Sequence, residues 1–291
     1  MSSSSVGAAE WSRSARFALN FTHWNPSAEE WSECCSRVEL EEITRIQRFV
    51  YKKDAKAALA GRLILRHFLT DVLQVKNSSL VFGRGEKGKP FLQSPPQSEH
   101  VWDFNLSHSG DFVVLGAEQD ALIGIDIMKT DFPRGKNLAD YFKLMSSQFS
   151  SREWNLIRAP ANDTDKLRNF YRLWCLKESY VKALGVGIGY NVSRLDFDLP
   201  DKTLVSPESC RHISLSIDST IQPHWSFTEF VVDEHHVGAV AVQAQAQLTQ
   251  RERTPEMVFL TMDEIVAKLE PLAESDPELG ARFCSKLERP S

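Results

Sequence analysis

The chain has 291 residues, with 34 Lys and Arg against 39 Asp and Glu, a formal charge of -5, 42% hydrophobic and 25% charged residues. That balance suits a soluble globule with a real core and excludes a protein that coats nucleic acid through overall basicity. No run approaches the roughly 18 apolar residues of a membrane span. The five cysteines, Cys34, Cys35, Cys175, Cys210 and Cys284, contain no C-x-x-C pair. Neither a zinc site nor a disulfide framework is expected, and reduced thiols in the cytosol fit.

The opening MSSSSVGAAEWSRSARFALNF reads as a loose terminus, with residues 1–11 disordered. From Glu29 to Leu73, apolar residues recur at three- and four-residue steps after an acidic first turn that follows Ser27, which predicts two or three helices. Short strand-type stretches follow: LVFG, KPFL, FNLSHS, DFVVLGAE and LIGIDIMK. FKLMSSQFSSREWNLIR and FYRLWCLKESYVKAL read as helices, and LDFDL, ISLSI, WSFTEFVV and HVGAVAVQ as strands. Asp201 to Glu208 reads as a loop. Helices followed by strands thus occur twice, which predicts an α+β fold of two comparable halves, 12–117 and 118–247. The join is expected between Gly116 and Leu122. Residues 248–291 are expected to be a polar linker and a peripheral helix outside the main fold.

The segment from Phe170 to Gly189 concentrates the chemistry. Glu178 and Lys182, four apart, share one helical face beside an apolar side, and Gly185, Gly187 and Gly189 end the helix. Such a pair is a common surface feature on its own. In LIGIDIMK, however, Asp126 interrupts an apolar strand, where a lone buried carboxylate would be costly. Asp126 and Glu178 together could offer hard oxygen ligands to magnesium, which takes one or two carboxylates and completes its shell with water and phosphate. Arg84, Gly85, Glu86, Lys87, Gly88 and Lys89 form a basic loop suited to clamping an anion. Gly83, Gly85 and Gly88 spell G-x-G-x-x-G, but Pro90 stands where a dinucleotide-binding helix should begin, so that reading fails. Arg45, Arg48, Lys52, Lys53, Lys56 and Arg62 add positive charge upstream. Asn105, Ser107 and His108 cluster at a strand end, while His235 and His236 lack an acid at ligand spacing and read as structural.

In this order, RFVYKKDAKAALAGRL, EKGKP, FNLSHSGD, GIDIMK and WCLKESYVKALGVG resemble the 4'-phosphopantetheinyl transferase superfamily, in its subclass of two fused halves, over about residues 12 to 245. The resemblance implies two similar α+β subdomains in pseudo-twofold relation with the active site between them. It also implies transfer of phosphopantetheine from coenzyme A to a serine of an apo carrier domain, releasing adenosine 3',5'-bisphosphate. By the same match, Asp126 and Glu178 hold Mg2+. Arg45, Arg84 to Lys89, Asn105, Leu106, Ser107, His108, Asp126, and Glu178, Ser179, Tyr180, Val181 and Lys182 bind coenzyme A. Glu178, Lys182, His108 and Glu153 serve the reaction, Glu153 by its match to an acidic helix position. Where many bacterial relatives carry a second acid, this chain has Met128, so water would fill one ligand place. Acceptors implied are apo acyl carrier protein, a fatty acid synthase carrier domain and aminoadipate-semialdehyde dehydrogenase-like carrier domains, with a monomer in the cytosol and neither membrane nor nucleic acid involved. Two alternatives keep the same residues: a non-catalytic coenzyme A or carrier-binding module, and a metal-dependent phosphodiesterase.

Overall fold

The computed structural model describes residues 13–97, 100–132, 135, 137–199, 213–244 and 255–288. The expected disorder at 1–11 and the expected loop at 201–208 lie outside them. The first half contains strand β1 (Ser14–Asn20), helices α1 (Ala28–Cys35), α2 (Leu40–Gln47) and α3 (Lys52–Leu73), hairpin β2 (Val81–Arg84) and β3 (Pro90–Ser94), and strands β4 (Trp102–Ser109) and β5 (Phe112–Gln119). After Asp120, in the left-handed region, β6 (Ala121–Lys129) leads to α4 (Leu138–Leu144), α5 (Ser151–Arg158) and α6 (Asp163–Leu184). Strands β7 (Leu195–Asp198), β8 (Ser214–Ile217), β9 (Thr220–Ile221), β10 (Trp225–Asp233) and β11 (His236–Ala244) follow, then β12 (Val258–Leu260), α7 (Met262–Lys268) and α8 (Pro277–Cys284).

Two departures from the sequence reading concern the chain ends. Residues 14–20, expected to be loose, form a buried strand antiparallel to β5, because Phe17 and Leu19 point into the core of the first half. The tail, expected to stand apart, is built into the same half. There β12 pairs parallel with β1, and Phe283 of α8 stacks on Trp31 at 3.8 Å between ring centroids. A side chain at Gly280 would collide with the Ala28 carbonyl, so glycine lets α8 cross close over α1.

The first sheet runs β12-β1-β5-β4 and the second β10-β11-β6. Helix α3 backs the first sheet and α6 the second, each half having its own apolar core. A third cluster joins them: Ala18, Phe112 and Val114 of one half pack against Ile123, Ile125, Ile127, Phe230, Val240 and Val242 of the other. The edge strands β4 and β6 meet without a backbone ladder. Instead, alternate side chains of β4 accept from backbone N–H groups of β6: Asp103 from Ile123 at 2.8 Å, Asn105 from Ile125 at 3.1 Å, Ser107 from Ile127 at 3.4 Å and Ser109 from Lys129 at 3.0 Å. This polar zipper satisfies an edge that would otherwise bury unpaired donors, and it fixes the register of the two halves.

Candidate active site

Helix α6 begins at Asn162, whose side chain accepts from Asp165 N at 2.8 Å, and ends at Gly185, a left-handed C-terminal cap. Its approach to β6 is set by Gly124. A Cβ there would lie 1.9 Å from the Ser179 carbonyl oxygen and 2.4 Å from Ala183 N. Only glycine allows this contact, which brings Glu178 and Lys182 beside Asp126.

These residues line a cleft of about 870 Å³ between the halves, together with Lys87, Gly88, Lys89, Asn105, Leu106, Ser107, His108, Val181 and Gly185. Asp126 is buried, and its Oδ1 accepts from Lys182 Nζ at 2.6 Å and Ser107 Oγ at 2.9 Å. Its Oδ2 is buried without a hydrogen-bond partner. A buried carboxylate oxygen left unsatisfied is costly, and a cation is the partner that would relieve it. Desolvation and the Asp126 charge raise the Glu178 carboxyl above its ordinary pKa, while Lys182 opposes them. Desolvation, although His108 is partly exposed, and the Lys182 ammonium lower the His108 imidazole, favouring its neutral form.

The residues present fit one hard divalent cation. Two carboxylates on rigid elements share the cleft, one with an orphaned oxygen. Among the described residues no set of three or more His, Cys, Asp or Glu is placed to hold a metal, so an ion here would draw further oxygen ligands from water and substrate. Met128, where a further acid would stand, lines the same cleft with a thioether.

The sequence-expected residues divide. Positions 178, 181, 182 and 185 of the α6 face line the cleft, but Ser179 and Tyr180 are not among the lining residues. Ser179 is buried and donates to Leu176 O at 2.9 Å, and Tyr180 packs on Trp225 and Tyr190. Gly85 and Glu86 also stand outside the lining. Lys89 lines it, yet its ammonium is spent on Asp103 at 2.7 Å, Ile123 O at 3.2 Å and Ala183 O at 3.3 Å, bolting the hairpin to both halves.

Glu153 is not brought to the cleft. It is the N3 residue of a capping box on Ser150, takes an N–H bond from Phe197 at 3.1 Å, and forms a sealed ion pair with Lys177 at 3.0 Å. Desolvation drives the Glu153 carboxyl up and the Lys177 amine down, with their attraction opposing both shifts. The S-x-x-E spacing from Ser150 to Glu153 was the sequence signal for this structural role. Upstream, Lys52 pairs with Glu288 at 2.8 Å and Lys53 with Asp111 at 3.2 Å.

Arg45 and Arg84 line a second cavity of about 520 Å³ with Leu40, Glu41, Glu42, Thr44 and Arg48. Sequence reasoning missed Glu42, which meets Arg45, Arg62 and Arg84. It also missed Asp103 and Ser109 of the zipper, although polar residues at every second position of an otherwise apolar strand were the available signal. His236 is buried: its Nε2 accepts from Asp111 N at 3.3 Å, leaving Nδ1–H to donate to Asp233 at 2.7 Å.

Residues 22–120 match the family model described as "4'-phosphopantetheinyl transferase, N-terminal", and residues 122–241 the model of the 4'-phosphopantetheinyl transferase superfamily. The L-aminoadipate-semialdehyde dehydrogenase-phosphopantetheinyl transferase of Xenopus laevis is 38% identical over 95% of this chain and 94% of its own. The Homo sapiens protein of the same name is 35% identical over 94% and 92%. A phosphopantetheinyl transferase of Thraustochytrium sp. is 33% identical over 79% and 78%.

Proposed function

The chain belongs to the 4'-phosphopantetheinyl transferase superfamily, and on that premise we propose how its residues move the phosphopantetheine arm of coenzyme A onto a serine of an apo carrier domain. The transfer forms a bond from the serine Oγ to the phosphorus that bears the pantetheine arm. It breaks the diphosphate bridge, and adenosine 3',5'-bisphosphate leaves. Negative charge grows on the bridging oxygen, so the site must supply positive charge there and an acceptor for the serine proton.

Asp126 and Glu178 are the residues that would hold Mg2+, which when bound supplies Lewis-acid neutralisation of the diphosphate oxygens. Lys182, held by Asp126 and Ser107, presents its ammonium to the leaving oxygen. Glu178 also helps to take the serine proton. Neutral His108 holds coenzyme A by hydrogen bonding, and Lys87 with the N–H groups of its loop receives phosphate oxygens. Lys89, already saturated by protein acceptors, sets the loop's position. Arg45 and Arg84, which line a cavity apart from the reacting cleft, receive the ribose 3'-phosphate. Glu153 acts as a structural anchor for α5 and β7, not as an acid or base.

The observation that carries these roles is the orphaned Asp126 Oδ2, buried beside Lys182 in the cleft that Glu178 also lines. The acceptors are acidic carrier domains of acyl carrier proteins, fatty acid synthase and aminoadipate-semialdehyde dehydrogenase-like enzymes, the last suggested by the names of the animal relatives. Both halves are in one chain, so the enzyme works as a monomer. The cytosol suits its free thiols at Cys34, Cys35, Cys175 and Cys284, and among the described residues no helix is long and apolar enough to cross a membrane. Incubation with coenzyme A, Mg2+ and an apo carrier, followed by intact-mass measurement, tests the assignment. The arm's mass should appear on the carrier for the wild type and be lost with Glu178→Ala; a normally active variant would refute the role of Glu178.

A further inference from the structure

Three arginines from three elements converge on one carboxylate. Arg45 of α2 donates through Nε to Glu42 Oε2 at 2.9 Å, Arg62 of α3 meets Oε1 at 3.0 Å, and Arg84 at the end of β2 meets the same oxygen. Glu42 is largely buried and Arg62 almost wholly so, whereas Arg45 and Arg84 are about 40% exposed. Burial alone would raise the Glu42 carboxyl, yet Arg62, Arg45 and Arg84 together hold it below its ordinary range. Both oxygens are therefore committed to guanidinium groups, and the carboxylate's charge is spent within the cluster.

The geometry points to Glu42 as a positioning residue that presets Arg45 and Arg84 to receive the ribose 3'-phosphate, and so sets the preference for coenzyme A over 3'-dephospho-coenzyme A. This inference rests on the reading that the arginine cavity takes that phosphate. Glu42 grips Arg45 by Nε, at the back of the guanidinium, so both terminal amino groups remain available for a forked contact with phosphate. Arg84 is held at one end by Glu42 and at the other by Gly88 O, which its Nη1 reaches at 3.3 Å. Glu42 of α2 thus ties the basic hairpin to α2 and α3 through Arg84 and Arg62. Without a counter-ion, three like charges this close would repel and the exposed two would swing into solvent. Glu42 also offers a phosphate little repulsion, since its own charge is already matched. Lost order therefore outweighs lost repulsion when the carboxylate is removed.

Glu42→Gln tests this. The amide keeps an acceptor for Arg62 and Arg84 but turns a donor toward Arg45 Nε–H, expelling that side chain. Transfer to an apo carrier is measured with coenzyme A and with 3'-dephospho-coenzyme A at saturating Mg2+. We expect the kcat/KM ratio between the two substrates to fall about tenfold, the range of one charge-assisted contact, mostly through KM for coenzyme A. Glu42→Asp should restore part of the ratio. Arg45→Gln, which leaves buried Arg62 paired, should lower the ratio similarly, and adding it to Glu42→Gln should cost little more, because one acts through the other. An unchanged or increased ratio in Glu42→Gln, or full additivity of the two changes, would overturn the role of Glu42. If Glu42→Gln fails to fold, Arg45→Gln combined with Glu42→Asp supplies the same additivity test. A wild type that does not distinguish the two substrates would instead sink the phosphate reading of the cavity.

Discussion

Two of the three lysines of helix α6, Lys177 and Lys182, stand five positions apart, each paired with a carboxylate from another element, and these two pairs do opposite things. Lys177 and Glu153 are fully sealed, and their valences are filled: Lys177 also donates to Val192 O at 3.2 Å and to Leu195 O, while Glu153 receives Ser150 N at 2.8 Å and Phe197 N at 3.1 Å. Lys182 and Asp126 sit at the edge of a cleft, with Lys182 28% exposed and one Asp126 oxygen unpaired. A polar pair that is buried and satisfied holds a fold together. One that is buried and left partly unsatisfied is kept for something that binds.

Breaking the sealed pair should give the largest loss of stability. Glu153→Ala leaves Lys177 charged and buried, at a cost of about 3–5 kcal/mol, read by chemical denaturation, while turnover per folded molecule stays near normal. The cleft that the open pair borders, which Glu178 also lines, should fail the other way. Glu178→Ala is expected to lower kcat at least about 10²-fold with little change in the denaturation midpoint. If Glu153→Ala abolished turnover in folded protein, or Glu178→Ala unfolded it, the comparison would break.

A pH titration sharpens the contrast. The Glu178 carboxyl is raised by burial and by Asp126, so the folded metal-free protein binds its proton more tightly than the unfolded chain does. Its stabilising contribution is full below the ordinary value of 4.5 and is lost as pH rises through the raised folded value. Glu178→Gln should remove that loss. In the metal-free protein, Asp126→Asn should move the midpoint of that loss to lower pH and Lys182→Met should move it to higher pH. The smallest effect is expected for Ser107→Ala. It removes one donor to Asp126 and one acceptor for Ile127 N, costing about 1 kcal/mol of stability while Lys182 still reaches Asp126.

The same contrast explains what the sequence made legible. The cleft-lining face of α6 and the strand bearing Asp126 were readable, because helical spacing and one charge in an apolar run survive without tertiary information. Glu153, expected to serve the chemistry, lies outside the cleft: an acid near a helix start is equally a capping-box residue, and Ser150 three positions earlier carried that message. Ser179 and Tyr180 were carried over with the whole matched run from Glu178 to Lys182, although they lie 100° and 200° round the helix from Glu178 in ideal geometry. Lys89 looked like a phosphate ligand because nothing local reveals that three acceptors from distant segments converge on it. The strand at 14–20 and the tail escaped for a related reason: β1 pairs with distant β5, and the tail's β12 then pairs with β1, through Phe17 with Val258 and Leu19 with Leu260.

The most direct test is Mn2+ binding, followed by electron paramagnetic resonance as a spectroscopic substitute for Mg2+, in the presence of coenzyme A. Wild-type protein should bind one ion, and Asp126→Asn and Glu178→Gln should each weaken it by about tenfold or more while remaining folded. Undiminished binding by either variant would mean that the two carboxylates do not share a cation.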